Sequence, residues 1–316
     1  MEHRGANGPP IVACYREFVP HPALRSRVRA LFSFTSRVEP APGLRRVTFE
    51  VRFAAGDRYQ SPLFADGNAS IVFDLGTIVH RAGVWCDSAA ARGGKVIGPM
   101  RRVTPDARAE LPAMVGAYLR PAQLSAFANL PSCEVTDRIL PVEELWGSTA
   151  VELSERLADP NESEAGRVDL LEEALLLLMS QPREKGSAVD ISRIADWVTR
   201  RGGHASVERL ADAAGVSRQH LTRLFRERVG VSPKLYSRLA RFQSALGHAS
   251  AGDRVDWARV AGDLGYADQS HMIAEFREFS SLTPHVLATE RWFHPFIERA
   301  KAGRVASAPS APVPPI

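Results

Sequence analysis

The last third of the chain contains one pattern written twice, about 50 residues apart, and this repeat constrains the fold more than any other feature. The first copy is Leu210–Pro233 and the second is Val260–Pro284. In each copy a glycine, Gly215 or Gly265, stands where a helix must end in the left-handed conformation. A short turn follows, and a second helix then begins. The repeat predicts two helix-turn-helix units.

The second helix of each copy has the same cap and the same apolar anchors. The N-cap and anchors are Ser217, Leu221 and Phe225 in the first copy, and Asp268, Met272 and Phe276 in the second. A capped proline then begins a further helix in both copies, as Ser232-Pro233 and Thr283-Pro284. Apolar residues at helical spacing predict one long amphipathic helix over Pro233–Ala249, which would join the two units.

Residues from about 190 to 290 resemble the DNA-binding domain of the AraC-type transcription regulators, including the stretch GYADQSH…F…F…TP in the second copy. The resemblance implies two helix-turn-helix motifs bridged by one helix, binding to double-stranded DNA, and transcription activation. A looser resemblance, through ADGNASIVFDLG, YLRPAQLSAF and VTDRILPVEELWG, links the N-terminal part to a β-rich domain that precedes this module in some bacterial regulators. Such domains are usually taken to sense small molecules, which is an association rather than chemistry.

Charge supports DNA binding independently of the resemblance. Between Arg218 and Arg241 there are seven basic residues and one acidic residue, Glu227. Helical spacing turns four polar side chains of the first recognition helix outward, and we expect these to read bases: Arg218, Gln219, Thr222 and Arg223. Four further basic residues are expected to hold phosphates: Arg226, Arg228, Lys234 and Arg238.

The second copy is weaker in charge. Its equivalents of the four expected base readers are Gln269, Ser270, Ile273 and Ala274. Residues 253–298 contain four arginines against eight acidic residues. We expect Gln269, Ser270 and His271 to contact bases, although helix packing is an equal alternative for His271 and for its counterpart His220. The sequence therefore predicts an asymmetric reader, in which the first motif supplies most of the affinity and specificity.

The remainder of the chain predicts an α+β protein with a sandwich-like or barrel-like N-terminal domain. Strands are expected at Val47–Phe53, Ser70–Leu75, Thr77–Trp85 and Ala113–Leu119, and a capping box, Thr149 to Glu152, is expected to begin a helix. The helix at about 163–181 either makes a dimer or interdomain contact or packs on its own β-domain. We expect an effector or dimerisation domain at 11–183 with a helical end at about 148–181, a DNA-binding domain at 190–298 with motifs at about 206–230 and 256–280, and disorder at 1–10 and 303–316.

Several classes of protein are not expected. The longest apolar run, Ala174–Met179, is far shorter than a membrane span, and the N-terminus lacks an apolar signal region, so we expect a cytoplasmic, nucleoid-associated protein. The three cysteines are isolated in the sequence (Cys14, Cys86 and Cys133), and the β-region offers only His21 and His80. We therefore expect no metal, no cofactor and no catalytic activity. Candidate partners besides DNA are a small-molecule effector, RNA polymerase and a second copy. The alternative is an effector-free regulator whose N-terminal domain only dimerises or contacts another protein.

Overall fold

The computed structural model describes residues 11–35, 48–53, 65–81, 84–88, 93–103, 111–180, 189–249 and 255–289. An antiparallel sheet forms the first part of the chain and helices form the rest, so the α+β class is confirmed. The strands are β1 Ile11–Phe18, β2 Val28–Thr35, β3 Thr48–Phe53, β4 Ser70–Arg81, β5 Val84–Ser88, β6 Gly93–Ile97, β7 Leu111–Leu119 and β8 Ile139–Pro141. The helices are α1 Glu143–Trp146, α2 Ser148–Leu157, α3 Glu164–Met179, α4 Ile191–Arg200, α5 Val207–Ala213, α6 Arg218–Val229, α7 Pro233–Ala249, α8 Trp257–Asp263, α9 Gln269–Ser280 and α10 Pro284–Thr289.

The described strands form one antiparallel sheet, in the order β3-β1-β2-β7-β4-β6-β8, with β5 paired to β4. Apolar side chains of the sheet share a core with the helices that follow it. Phe73 and Val115 from the sheet, for example, join the same buried cluster as Leu153 and Leu171 from α2 and α3. The sequence predicted a sandwich-like or barrel-like β-domain, and its described strands belong to one antiparallel sheet that shares a core with the helices.

The bounds of two expected strands, Ser70–Leu75 and Thr77–Trp85, were wrong, and Gly76 explains the first error. The expected break between Ser70–Leu75 and Thr77–Trp85 does not exist, because β4 runs without interruption through Gly76. The register against β7 shifts between Asp74 and Gly76, so the glycine marks a β-bulge rather than a turn. β4 ends at Arg81, and β5, which begins at Val84, pairs antiparallel to it with Thr77 opposite Ser88, so the expected strand Thr77–Trp85 is divided between two strands.

The helices that cover the sheet differ from expectation at one N-terminus and bear on one question that the sequence left open. The predicted capping box at Thr149 was wrong, because α2 begins at Ser148, Gly147 is its N-cap, and no side chain caps it. The helix expected at about 163–181 is α3, which Ser163 caps by accepting a hydrogen bond from the Gly166 amide. Leu171, Leu175 and Leu178 are buried in the core of the sheet, which favours packing on its own domain, although Leu177 is 61% exposed.

The last third contains two small cores, one for each helix-turn-helix unit. In the first, Leu221 and Phe225 of α6 pack with Ile194 and Val198 of α4. In the second, Met272 and Phe276 of α9 pack with residues of α7, α8 and α10. The linking helix α7 contributes to both cores, since Tyr236 and Ala240 belong to the first and Leu239, Phe242 and Leu246 to the second. The two units therefore share the helix α7, as the repeat predicted.

Some expectations fall outside the described residues. These are the disordered ends at 1–10 and 303–316, and the side chains of Cys14, His80 and Cys86 also lie outside them. Within the described part of the chain, no helix combines the length and the apolar character that crossing a membrane requires.

Candidate nucleic-acid interface

Both recognition helices begin as the sequence predicted. Gly215 and Gly265 have φ angles of +63° and +68°, so each ends a helix in the left-handed conformation that glycine adopts without strain. Ser217 then caps α6 by accepting a hydrogen bond from the His220 amide, and Asp268 caps α9 in the same way from the His271 amide. Such caps contribute about 1 kcal/mol each to helix stability.

The apolar anchors fix which face of each recognition helix points outward. Leu221, Phe225, Met272 and Phe276 are all completely buried. Since these residues recur every four positions, the polar residues between them must lie on the opposite face of each helix.

The outward face of α6 carries the four residues that we expected to read bases. Arg218, Gln219 and Arg223 are exposed. Thr222 is half-buried, and its hydroxyl donates a hydrogen bond to the Arg218 carbonyl at 2.8 Å. The four lie with Arg226 around one concave surface of about 700 Å³. The structure therefore brings the expected base readers of the first motif together on one accessible face.

Two acidic residues moderate the charge of this face. Glu208 of α5 accepts a hydrogen bond from Arg218 at 3.0 Å, and Glu227 lies 3.9 Å from Arg223 and 3.5 Å from Arg228. A backbone hydrogen bond and the Arg218 guanidinium lower the pKa of Glu208, so the carboxylate stays charged. These exposed ion pairs are individually weak, and phosphates can therefore compete for the arginines.

The expected phosphate residues divide into two groups. Arg226 and Lys234 are exposed and have no ion-pair partner among the described residues, and Arg228 is half-buried. Arg238 instead faces α9, where it donates hydrogen bonds to Glu275 at 2.7 Å and Glu278 at 2.6 Å. These contacts favour a role for Arg238 in joining the two helices over phosphate binding.

Glu275 is the centre of a charged cluster that sequence reasoning missed. Its side chain is 2% exposed, and its Oε1 accepts hydrogen bonds from Arg238 of α7 and from Arg241 of the same helix at 3.0 Å. The guanidinium of Arg241 also lies 4.5 Å from the ring centre of Tyr266. Part of the negative charge of the second copy, that of Glu275, is thus neutralised by arginines of the linking helix.

The outward face of α9 is nearly neutral. Gln269 and Ser270 are exposed, and so is Ala274 at the position equivalent to Arg223. The ring of His271 is engaged on both sides: its Nδ1 accepts a hydrogen bond from the Ala267 amide at 3.3 Å, and its Nε2 lies 3.6 Å from Glu275. These contacts favour helix packing over base contact for His271.

The N-terminal domain packs against the end of the first recognition helix. Ser132 donates a hydrogen bond to the Arg228 carbonyl at 2.6 Å, and Thr136 donates one to the Gly230 carbonyl at 3.0 Å. Gly230 allows this approach, because a Cβ atom there would lie 2.5 Å from the Thr136 hydroxyl oxygen. Cys133, beside Ser132, borders the concave surface of α6. The edge of the candidate interface at Cys133 therefore comes from outside the helix-turn-helix domain.

A second N-terminal segment packs against the other unit. Ala65 is fully buried in the core of α9, and its amide donates a hydrogen bond to the Phe279 carbonyl at 3.3 Å. The next residue, Asp66, accepts a hydrogen bond through its main-chain carbonyl from Gln243 of α7 at 2.9 Å. Burial raises the pKa of the Asp66 carboxyl to about 7.

These contacts come from the stretches that carried the looser N-terminal resemblance. ADGN holds Ala65 and Asp66, YLRPAQ holds Arg120, which lies 3.3 Å from Asp196 of α4, and VTDR holds Thr136. The sequence signal was present, but it did not reveal that the stretches contact the helical domain. Pairing them with their partners required the tertiary structure.

Comparison with known proteins identifies the helical part. A family model described as a helix-turn-helix domain matches residues 210–290. The chain carries an AraC-type helix-turn-helix domain. This domain contains both recognition helices and the helix that links them, and it makes the chain a DNA-binding transcription regulator.

Whole-chain comparisons add little. No curated protein matches. A xylose-binding transcription activator, XylR, matches at 17% identity with a TM-score of 0.29, and the match spans 39% of each chain. ToxT from Vibrio cholerae O395 matches at 11% identity with a TM-score of 0.40, covering 73% of this chain and 92% of that one. An apo ToxT variant from Vibrio cholerae strain SCE256 matches at 12% identity, with a TM-score of 0.41 and the same coverage. At these TM-scores the likenesses carry no argument about ligands or partners.

Within the described residues, no group of three or more histidine, cysteine, aspartate or glutamate side chains is arranged to hold a metal ion.

Proposed function

We propose that the chain binds a specific double-stranded DNA site through the major groove and that its first motif dominates base recognition. The observation that carries this proposal is the outward face of α6, where three exposed polar side chains and Thr222 surround one concave surface. Arginine can donate two hydrogen bonds to guanine, glutamine can pair with adenine, and a threonine methyl can contact thymine. The readers that we propose are Arg218, Gln219, Thr222 and Arg223, with a smaller contribution from Gln269 and Ser270.

Phosphate binding would position this face on the duplex. Arg226 and Lys234 are exposed and unpaired among the described residues, and Arg228 is the next-to-last residue of α6. Contacts of this kind carry no sequence information, but they fix the register of the helix in the groove. Each of them also makes the affinity depend on salt.

The test is fluorescence anisotropy of the full chain on random duplexes, one set GC-rich and one AT-rich, at two salt concentrations. We expect salt-sensitive binding and, after selection of the tightest duplexes, a preference over one or two major-groove segments. The full chain is required, because Ala65 and Thr136 of the N-terminal part contact the helical domain. Binding weaker than about 10⁻⁴ M for every duplex at low salt would contradict the proposal, since ordinary non-specific binding is tighter.

We further propose that the N-terminal domain responds to a small molecule and that the regulator activates transcription in the cytoplasm, with RNA polymerase and a second copy as candidate partners. The contacts of the N-terminal domain with both helix-turn-helix units support a response to a ligand. A ligand that moves the sheet would also move the segments that pack on these units. The competing function is effector-free dimerisation or protein contact, and the exposed Leu177 of α3 is the observation that favours it. A metabolite screen by melting temperature separates the two, because a ligand that binds only the folded state must raise it.

A further inference from the structure

A basic cleft of about 530 Å³ lies where the N-terminal domain meets the start of α7. Arg101 and Arg102 line it from the N-terminal side, and Ser232, Lys234 and Arg238 line it from the helical side. Its acidic members are Asp137 and Glu278, which are paired with Arg101 and Arg238 at 2.6 Å each. Two cations, Arg102 and Lys234, are left without an ion-pair partner among the described residues.

The position of Arg102 is held by a series of contacts that ends at the recognition helix. Asp137 accepts hydrogen bonds from both the amide and the Nε of Arg101 at 2.6 Å, and its own amide donates one to the Pro99 carbonyl at 3.0 Å. Pro99 in turn lies against Gly230, where a Cβ atom would be 3.1 Å from its ring. The segment that carries Arg102 is therefore fixed relative to the C-terminal end of α6.

The cleft also continues the phosphate surface proposed for the first motif. Lys234 belongs to both, and it lies in the first turn of α7, a 17-residue helix whose N-cap, Ser232, also lines the cleft. The positive end of the helix dipole adds to the charge of the side chains there. Meanwhile Arg238 and Arg241 are committed to Glu275, so the helix-turn-helix domain has fewer free cations than its sequence suggests.

We infer that this cleft binds the DNA backbone and that Arg102, from the N-terminal domain, contacts a phosphate beside the one bound by Lys234. The DNA-binding surface then extends past the AraC-type domain, and the domain arrangement itself contributes to affinity. The inference rests on the proposed function, because it uses the duplex that α6 would recognise.

The test compares Arg102→Gln with Arg156→Gln in the full chain. Arg156 is an exposed arginine of α2, outside the cleft, so the two variants change the net charge equally. Affinity for the selected duplex and for a random duplex is measured by anisotropy between 50 and 200 mM salt, and melting temperatures confirm that both variants are folded.

We expect Arg102→Gln to reduce the slope of log affinity against log salt by about 0.9, the effect of one phosphate contact. The wild type should then lose about 3.5-fold more affinity than this variant over the fourfold salt range. The loss should be equal on both duplexes, Lys234→Gln should behave in the same way, and Arg156→Gln should match the wild type. Equal slopes for the Arg102 and Arg156 variants would overturn the inference while leaving the proposed function intact.

A free anion is the rival occupant of the cleft. Inorganic phosphate replaces chloride at constant ionic strength, and the melting temperatures of the wild type and Arg102→Gln are compared. If phosphate stabilises only the wild type, and the variant keeps the wild-type salt slope for DNA binding, the cleft binds a free anion and the inference is overturned. A wild type that binds no duplex would overturn the proposed function and this inference together.

Discussion

The two helix-turn-helix units have the same backbone plan but different chemistry at one buried position. Leu224 of α6 is 3% exposed, and Glu275, at the equivalent position of α9, is 2% exposed. The first unit fills this position with an apolar side chain, and the second fills it with a carboxylate that holds two arginines of α7. The charge of a segment therefore need not describe its outer face: the second copy is acidic in sequence, yet part of that charge is buried and paired.

The largest effect should come from imitating the first unit in the second. Glu275→Leu would leave Arg238 and Arg241 without their buried partner, and breaking such a pair costs about 3–5 kcal/mol of unfolding free energy. Leu224→Met, a volume-conserving change in the first unit, should cost less than about 1.5 kcal/mol. Urea unfolding of the full chain measures both. A Glu275→Leu protein as stable as the wild type would show that the charged cluster does not stabilise the second unit.

The difference between the outer faces should appear in DNA affinity. Arg223→Ala should weaken binding of the selected duplex by about 1–3 kcal/mol and relax the preference at one base pair, because it removes a two-bond contact to guanine. Gln269→Ala in the second motif should cost less. Anisotropy titrations at one salt concentration compare the variants, with Arg156→Gln as the surface control. Equal losses at Arg223 and Gln269 would contradict the asymmetry.

The two turns should respond differently to the same substitution. Gly215→Ala and Gly265→Ala both place an L side chain in the left-handed conformation, which costs about 1–2 kcal/mol. Only Gly265→Ala also meets a neighbour, since its Cβ would lie 2.7 Å from the His204 ring, whereas nothing lies within 4 Å at Gly215. Thermal unfolding should therefore show the larger loss at Gly265. The reverse order would mean that His204 moves away freely.

A basic residue should strengthen the weaker motif. Ala274 is exposed at the position of Arg223, so Ala274→Arg can add one contact to the duplex without disturbing the core. We expect tighter binding and, where the new contact is to a phosphate, a salt slope steeper by about 0.9. Two separate variants serve as controls: Arg156→Gln on another surface, and Ala274→Gln, which adds a long side chain without a charge. No change in affinity would place the outer face of α9 away from DNA.

A further difference between the units concerns pH and the N-terminal loop packed on the second unit. Because burial raises the pKa of Asp66 from 3.8 to about 7, the folded protein holds a proton that the unfolded chain has released. The charge of Arg29 opposes this rise without cancelling it. Stability should therefore fall as pH rises from about 4 to 7 and then level off. Asp66→Asn should reduce this dependence, measured as melting temperatures at pH 5 and pH 8, and an equal dependence in both proteins would assign it to other groups.

The sequence predicted the helical part well because each of its signals is local. Gly215, Ser217 and Pro233 act on their own turns of the chain, and anchors such as Phe225 recur at helical spacing, so caps, bounds and buried faces all follow from neighbouring residues. It predicted the α+β class for the same reason. The predicted strand break at Gly76 was wrong, because a glycine in a sequence is equally compatible with a bulge and with a turn. Only the register against the neighbouring strand separates the two.

The site was predictable only as far as helical geometry reaches. Spacing on α6 placed Arg218 and Arg223 on the outward face, and the structure keeps them there. It could not show that Arg238 turns to Glu275, which lies 37 residues away along the chain, or that Cys133 and Thr136 lie against the recognition helix. Both facts depend on long-range packing, which a single sequence does not encode in any local pattern.

The most direct test of the central claim is a selection of random duplexes by the wild-type full chain and by its Arg223→Ala and Gln269→Ala variants. We expect two major-groove segments in the wild-type site, with the stronger base preference in the segment that Arg223→Ala alters and the weaker one in the segment that Gln269→Ala alters. Equal preference in both segments, or a dominant segment that responds to Gln269→Ala and not to Arg223→Ala, would contradict the claim that the first motif dominates recognition.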